Sequence, residues 1–387
     1  MNKKLLAVAV AGALAAPGLA MAQSSVTISG IFKTSLENIK IGSPTVGVPV
    51  IGAGTLAGGR TGLNTSENRL ADDSSRILFN VVEDLGGGLQ AIGQIDVRWN
   101  MATGAGMTNS GNTHVGLRSK TLGRILLGRQ DVHYFNRESD LTNLAGSLRA
   151  DSISLISHAG GGGAAIAVTS RDANIVHYTT PNFGGFTMIG AYAFSGTSNV
   201  QSDLTSTVRK GSSWHLNPNF QRNNFQVGWS YFASKNDLGG AGAAGDQKSN
   251  RLYGSFNTSG FKVGLAWDKS TITPSAGGAK FSDRTAWSIP VSYNMGNNGF
   301  HFHYTKARDD KATVAQDGAK MLALSYQYSL SKRTSVGLTY AKITNDAGAV
   351  YNFFTGNNGS LGNSANGATP LLGEDPRLMA ATLRHAF

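Results

Sequence analysis

Arg76, Asp96 and Arg98 are the residues best placed to do chemistry, because each falls on the polar side of an alternating segment. In Ser75 to Val82, Ile77, Phe79 and Val81 share one side, and Arg76, Leu78 and Asn80 share the other. In Leu89 to Asn100, Leu89, Ala91, Ile95, Val97 and Trp99 oppose Gln90, Gln94, Asp96, Arg98 and Asn100. Successive side chains point to opposite faces of a strand, so both segments read as two-faced strands. Centring the turn between them on Gly86-Gly87 sets Arg76 roughly opposite Asp96, with Arg98 nearby. Two guanidiniums and a carboxylate at that spacing either set a field that acts on passing anions or brace a wall as a salt bridge. One side chain can do both.

Covalent and metal chemistry is poorly served. His301 and His303 share a strand face and could begin a metal site, but no carboxylate or third His stands beside them at ligand spacing. Gly52-Ala53-Gly54 lacks the G-x-G-x-x-G spacing and falls in a polar segment. No G-x-S-x-G elbow occurs. No catalytic residue, metal or cofactor is expected.

The elements that position the charges are strands. In Val26 to Lys33, one side carries Val26, Ile28 and Phe32; the other carries Thr27, Ser29 and Lys33, with Ile31 as an exception. Short Gly- or Asn-bearing turns occur at Glu83 to Gly88, Ser119 to Gly123, Pro181 to Gly185, Gln221 to Asn224, Asn257 to Gly260, Met295 to Gly299 and Ser329 to Arg333. Longer polar segments lie between them, at about 38–70, 100–111, 131–172, 196–212, 234–249, 269–282, 307–319 and 344–375. Seven turns and eight loops join 16 strands, the rhythm of a transmembrane barrel wide enough for an aqueous channel. Aromatics such as Trp229, Trp267, Trp287, Tyr293 and Tyr326 fall near strand ends in phase with the apolar side, as interfacial girdles do.

Composition and the chain ends agree with export to a membrane. Lys3 and Lys4 precede an apolar run from Leu5 to Leu19, and Ala20-Met21-Ala22 fits a small-x-small cleavage pattern. Residues 1–22 are therefore expected to be a signal peptide and 23–387 a single barrel domain. No later segment is long and apolar enough for a transmembrane helix. There is no Cys, which excludes a disulfide-stapled secreted scaffold. Without Lys3 and Lys4, 32 basic residues stand against 23 acidic ones, a net charge of +9 that suggests anionic partners. Leu383-Arg384-His385-Ala386-Phe387 closes an alternating stretch on an aromatic, and Phe387 is expected to act as an assembly signal.

Several segments resemble the general porins of β-proteobacteria. They are the QSSVTISG run, Ser75-Arg76, Glu83 to Leu89, Val115-Gly116-Leu117, Leu127-Gly128-Arg129-Gln130, Pro181 to Phe186 and Leu383 to Phe387, in collinear order over almost the whole mature chain. The resemblance implies an all-β, 16-stranded antiparallel barrel in the outer membrane of a Gram-negative bacterium. It implies short periplasmic turns, long extracellular loops, an inward-folded third loop and a homotrimer. It also implies passive diffusion of small hydrophilic solutes and anions. Lipid and lipopolysaccharide would surround such a barrel, and the barrel-assembly machinery would insert it. The basic residue the family often carries before the Tyr of the sixth strand is His177 here, and the segment before Val115-Gly116-Leu117, where an Arg is common, reads Asn112-Thr113-His114, so part of the expected arginine ladder is weakened or moved.

Phase then assigns the pore. Arg76, Asp96 and Arg98 face the lumen near mid-barrel, since an Arg on the lipid face there costs about 2–4 kcal/mol. Lys33 and Arg384 share the inward phase in the first and last strands and extend a basic wall. The phase of Ile125 and Leu127 places Arg129 outward, although the family's matching Arg lies near the constriction and a bulge would reverse it. The third loop carries Arg137, Glu138, Asp140, Arg149, Asp151 and Arg171, whose acids would complete a transverse field against the wall arginines. Its Gly160 to Gly163 run reads as a flexible return to the sixth strand. The expected function is a general diffusion pore with modest anion preference. The competing classes are a surface adhesin or structural barrel and, less well supported, an outer-membrane hydrolase.

Overall fold

The computed structural model describes residues 24–42, 66–104, 106–107, 111–133, 148–156, 171–194, 210–237, 245–274, 277–353, 370 and 372–387. Its strands, in chain order, are β1 (Ser25–Gly42), β2 (Ser66–Asp72), β3 (Arg76–Gly86), β4 (Leu89–Arg98), β5 (Thr113–Ser119), β6 (Gly123–Asp131), β7 (Arg171–Thr179), β8 (Phe186–Ala193), β9 (Lys210–Arg222), β10 (Phe225–Asp237), β11 (Asp246–Thr258), β12 (Phe261–Thr273), β13 (Ser282–Met295), β14 (Asn298–Ala307), β15 (Ala319–Ser329), β16 (Thr334–Asn345) and β17 (Asp375–Ala386). Every pairing is antiparallel, neighbour to neighbour, and β17 pairs back onto β1 to close the barrel. No helix among the described residues is long and apolar enough to cross a membrane. The expected signal peptide, residues 1–22, lies outside the described residues.

Strands β2 and β3 are two halves of one wall strand, so the seventeen segments make sixteen staves. The break is a bulge. Thr34 pairs with Asp72 and Ile31 with Arg76, so Asp73, Ser74 and Ser75 oppose only Phe32 and Lys33. Ser74 takes φ 77°, and the Asp72 carboxylate accepts from the N–H groups of Ser74 and Ser75. The Ser75 hydroxyl replaces the missing rung, accepting from the Lys33 N–H and donating to its carbonyl. β1 also runs further into the first loop than its polar sequence indicates, to Gly42.

Long loops and short turns gather at opposite rims. The β3–β4 turn passes through Gly86, Gly87 and Gly88, all in the left-handed region, with a register shift between Asp84 and Gly86. At the seam, Gly30 and Phe387 exchange both backbone hydrogen bonds at 3.1 Å, and the Phe387 ring stacks 4.9 Å from Phe32. A Cβ on Gly30 would meet that ring at 2.6 Å, so only glycine leaves room for it.

The outer face carries the apolar side chains. Val26, Ile28, Leu36, Leu252, Leu338 and Met379 are exposed. Register joins Phe225 to Phe256, Phe261 to Tyr293, Tyr293 to Phe300 and Phe300 to Tyr326 in a belt near the turn rim. Tyr192, Trp214, Trp267 and Trp287 form a second belt nearer the loops, joined as Tyr192 to Trp214 and Trp267 to Trp287. Two aromatic rows around an aliphatic band match the two interfaces of a bilayer.

The buried apolar core lies inside the barrel. Ile39, Met321, Ala323, Ala341, Ile343, Leu378 and Ala380 face inward on β1 and β15–β17, where polar residues would ordinarily meet water. Ile153, Leu155 and Ile156 from the third loop cover them.

Candidate functional site

The third loop is fixed at its root and at its landing. Past the end of β6, His133 has left-handed backbone (φ 48°) and is fully buried. Its Nδ1 lies 2.8 Å from the Ser230 hydroxyl and its Nε2 2.7 Å from that of Ser249; its N–H donates to His215 Nδ1 at 3.2 Å. Burial, opposed by hydrogen bonding to Asp268, holds the imidazole down at about 4. At the landing, Arg149 reaches Glu37 Oε1 at 2.7 Å, Asp73 Oδ1 at 3.5 Å and the Asp72 carbonyl at 3.1 Å. Glu37 also accepts from Arg69 at 3.0 Å, and Asp73 pairs with Lys33 at 3.2 Å. The strand break thus has a use: it turns Asp73 toward the loop. Asp151 caps the next helical turn by accepting from the Ile153 N–H at 3.0 Å, and burial pushes its carboxyl up to about 7.

The wall from β3 to β7 is strongly basic. Arg98 donates twice to Asp96, at 2.9 and 2.7 Å, and reaches the Ser74 hydroxyl at 3.4 Å. Arg76 stands directly opposite Arg98, while Leu78 opposes Asp96. The expected Arg76–Asp96 opposition is therefore corrected by one rung pair. Three left-handed glycines and the register shift put the hairpin's centre at Gly87, half a residue beyond Gly86-Gly87, and a half-residue change in centre moves each partner by one. Arg76 keeps Asp96 and Asp131 within electrostatic range. Arg171, placed in the loop by its sequence context, opens β7; it pairs with Asp131 at 2.7 Å and donates to Asn112 Oδ1 at 3.1 Å.

Arg129 shows why strand phase alone misleads. The β6–β7 register shifts between Gly128 and Gln130, and the Arg129 side chain becomes largely covered within range of Arg98, Asp131, Arg171 and Asp172. Phase with Ile125 and Leu127 does not hold at this bulge: the guanidinium lies with the charges of the inner wall. Lys33 and Arg384 are inner-face neighbours across the closing seam. His177 is buried on the inner face of β7, partnered across the sheet by Leu126 and Ala191. Glu138 and Asp140 lie outside the described residues. Phe387 sits at the seam beside Gly30, its ring against Phe32 on the outer face.

Two features escape the sequence reading. One is the latch of Glu37, Arg69, Asp73 and Arg149, which joins segments far apart in the chain. The other is a second basic group toward the turn rim, where Arg118 pairs across the ladder with Arg124. Phase from His114 and Gly116 places Arg118 inward and was available as a signal. His301 and His303 face inward opposite Ser292 and Pro290, and among the described residues no group of three or more His, Cys, Asp or Glu could hold a metal. Fixed charges on the inner wall can bias the passage of ions.

Comparison with known proteins fits this geometry. Residues 7–348 match the family described as Gram-negative porin. An outer membrane porin protein of Bordetella pertussis is 27% identical over 379 residues, covering 87% of this chain and 92% of that protein. Outer membrane porin protein 32 of Delftia acidovorans is 27% identical over 345 residues, covering 87% and 88%. An anion-selective porin from Comamonas acidovorans shares the fold, with a TM-score of 0.74 at 22% identity, covering 94% of this chain and all of that one.

Proposed function

Since the chain belongs to the Gram-negative porin family, we propose that it is an outer-membrane diffusion channel with modest anion preference, acting without a catalytic step. Ions and small hydrophilic solutes cross a water-filled lumen down their gradients. The observation that carries the preference is the β3–β7 wall. There Arg76, Arg98, Arg118, Arg124, Arg129 and Arg171 outnumber Asp84, Asp96, Asp131 and Asp172. Low-dielectric walls focus such a field.

Residues 1–22 serve as the export signal in this reading, and Phe387 as the mark read by the barrel-assembly machinery. Lipid and lipopolysaccharide surround the aromatic belts. The functional unit is a homotrimer. An apolar concavity of about 1020 Å³ on the outer face, lined by Leu36, Leu324, Leu338 and Met379, supports a subunit contact there. Planar bilayers test the channel: purified protein gives stepwise openings, and their absence overturns the reading. Crosslinking that captures only monomers removes the trimer.

A further inference from the structure

We propose that the turn-side half of the lumen holds a binding site for a doubly charged oxyanion, a phosphate or dicarboxylate, which rests on the channel reading above. The site is a cavity of about 420 Å³ lined by Asn80, Gln94, His114, Arg118, Arg124 and His177. At ~30 Å³ per water it has room for a small dianion and several waters. Its Arg118–Arg124 end lies five residues down β6 from Arg129, about 17 Å at ~3.3 Å per residue, while its loop-side end, at Asn112, Gln130 and Asp131, meets the Arg76–Arg98 cluster.

Arg118 and Arg124 are direct cross-strand partners. Like charges directly opposite one another repel, and a bound dianion removes that repulsion. Two guanidiniums side by side also present parallel N–H pairs that match carboxylate or phosphate oxygens. The Arg118 Nε–H is held by Gln90 Oε1 at 2.8 Å, which orients the fork. The wall beside Arg124 keeps unused polar atoms: His177 Nδ1 and Thr179 Oγ1 are buried without hydrogen-bond partners. The one carboxylate at the cavity edge, Asp131, is already engaged by Asn112 and Arg171. It lies at the loop-side end and leaves the Arg118–Arg124 end free of acid among the described lining residues. A solute with two negative charges would rest here after passing the constriction.

Single-channel currents in KCl, with inorganic phosphate or succinate titrated from the turn side, test the site. Wild type shows a saturable fall in chloride current with at least one of the two; block by phosphate alone marks a phosphoryl site, block by both a general dianion site. R118Q/R124Q raises the half-blocking concentration at least tenfold while still opening in steps, with a smaller chloride preference than wild type. R118K/R124K keeps the charge, removes the fork, and raises it in the same direction, which serves if the glutamine variant fails to insert. Currents that respond linearly to both anions overturn the site, as does block unchanged in both variants. Neither result touches the channel reading, which falls only if no openings are seen.

Discussion

Replacing Arg149 with Ala removes the polar half of the third-loop latch while leaving its apolar half intact. The guanidinium serves Glu37 at 2.7 Å, Asp73 at 3.5 Å and the Asp72 carbonyl at 3.1 Å. Breaking a buried ion pair typically costs about 3–5 kcal/mol, because a charge is left unpaired. Here Glu37 keeps Arg69 and Asp73 keeps Lys33, so the lower end, about 3 kcal/mol, applies. Against this stand Ile153, Leu155 and Ile156, each worth roughly 1.5–3 kcal/mol on burial, an upper figure because a released loop still covers some of its surface. The loop of R149A therefore stays docked on average. Its undocked population rises roughly a hundredfold, at about 1.4 kcal/mol per factor of ten. Single-channel recording should show an unchanged main conductance with far more frequent brief excursions. Adding L155A, a further ~2–5 kcal/mol, should undock the loop and enlarge the main step. R149A channels as quiet as wild type would refute the latch.

Loop docking should also depend on pH, through two groups. Asp151, raised to about 7, binds its proton more tightly docked than exposed, so its contribution is complete below 3.8 and lost as pH rises through about 7. His133, lowered to about 4 from 6.5, contributes fully above 6.5 and loses its contribution as pH falls through about 4. Between about 4 and 6.5 the two trends oppose each other and largely cancel, and above that range the Asp151 loss dominates, so excursions should become more frequent as pH rises through about 7; D151N should remove this alkaline rise, and a D151N channel that keeps it would exclude Asp151 as the cause. At the seam, G30V drives a side chain into the Phe387 ring and the Arg76 carbonyl. It should lower the temperature at which the barrel unfolds in detergent gels, and an unchanged temperature would show that the ring can move aside.

The barrel was largely legible because its periodicities are local. Turns such as Asn257 to Gly260 announce themselves by residue type, and a two-residue alternation needs no knowledge of partners. Register was not, because it is set by irregularities. One extra residue at Asp73-Ser74-Ser75, one shift beside Gly128 and one near Gly86 change which side chains meet. Each bears on a charge: Asp73 reaches the loop, Arg129 turns inward, and Arg76 meets Arg98 rather than Asp96. The loop's landing was hidden for another reason. Ile39, Met321, Ile343 and Leu378 are apolar residues in the inward phase, and they make sense only once Leu155 and Ile156 cover them. That inward apolar run on neighbouring strands was a readable sign that something docks inside.

The zero-current potential across a bilayer in a KCl gradient tests the central claim most directly. Arg76 and Arg98 face each other on the inner wall, with Asp96 bound to Arg98. Wild type should take the sign of chloride preference, and the preference should shrink near 1 M salt, where screening shortens to about 3 Å. R76Q/R98Q leaves Asp96 without its arginine and should move the potential toward potassium. A wild-type potential with the sign of cation preference, or a double variant indistinguishable from wild type, would contradict the account.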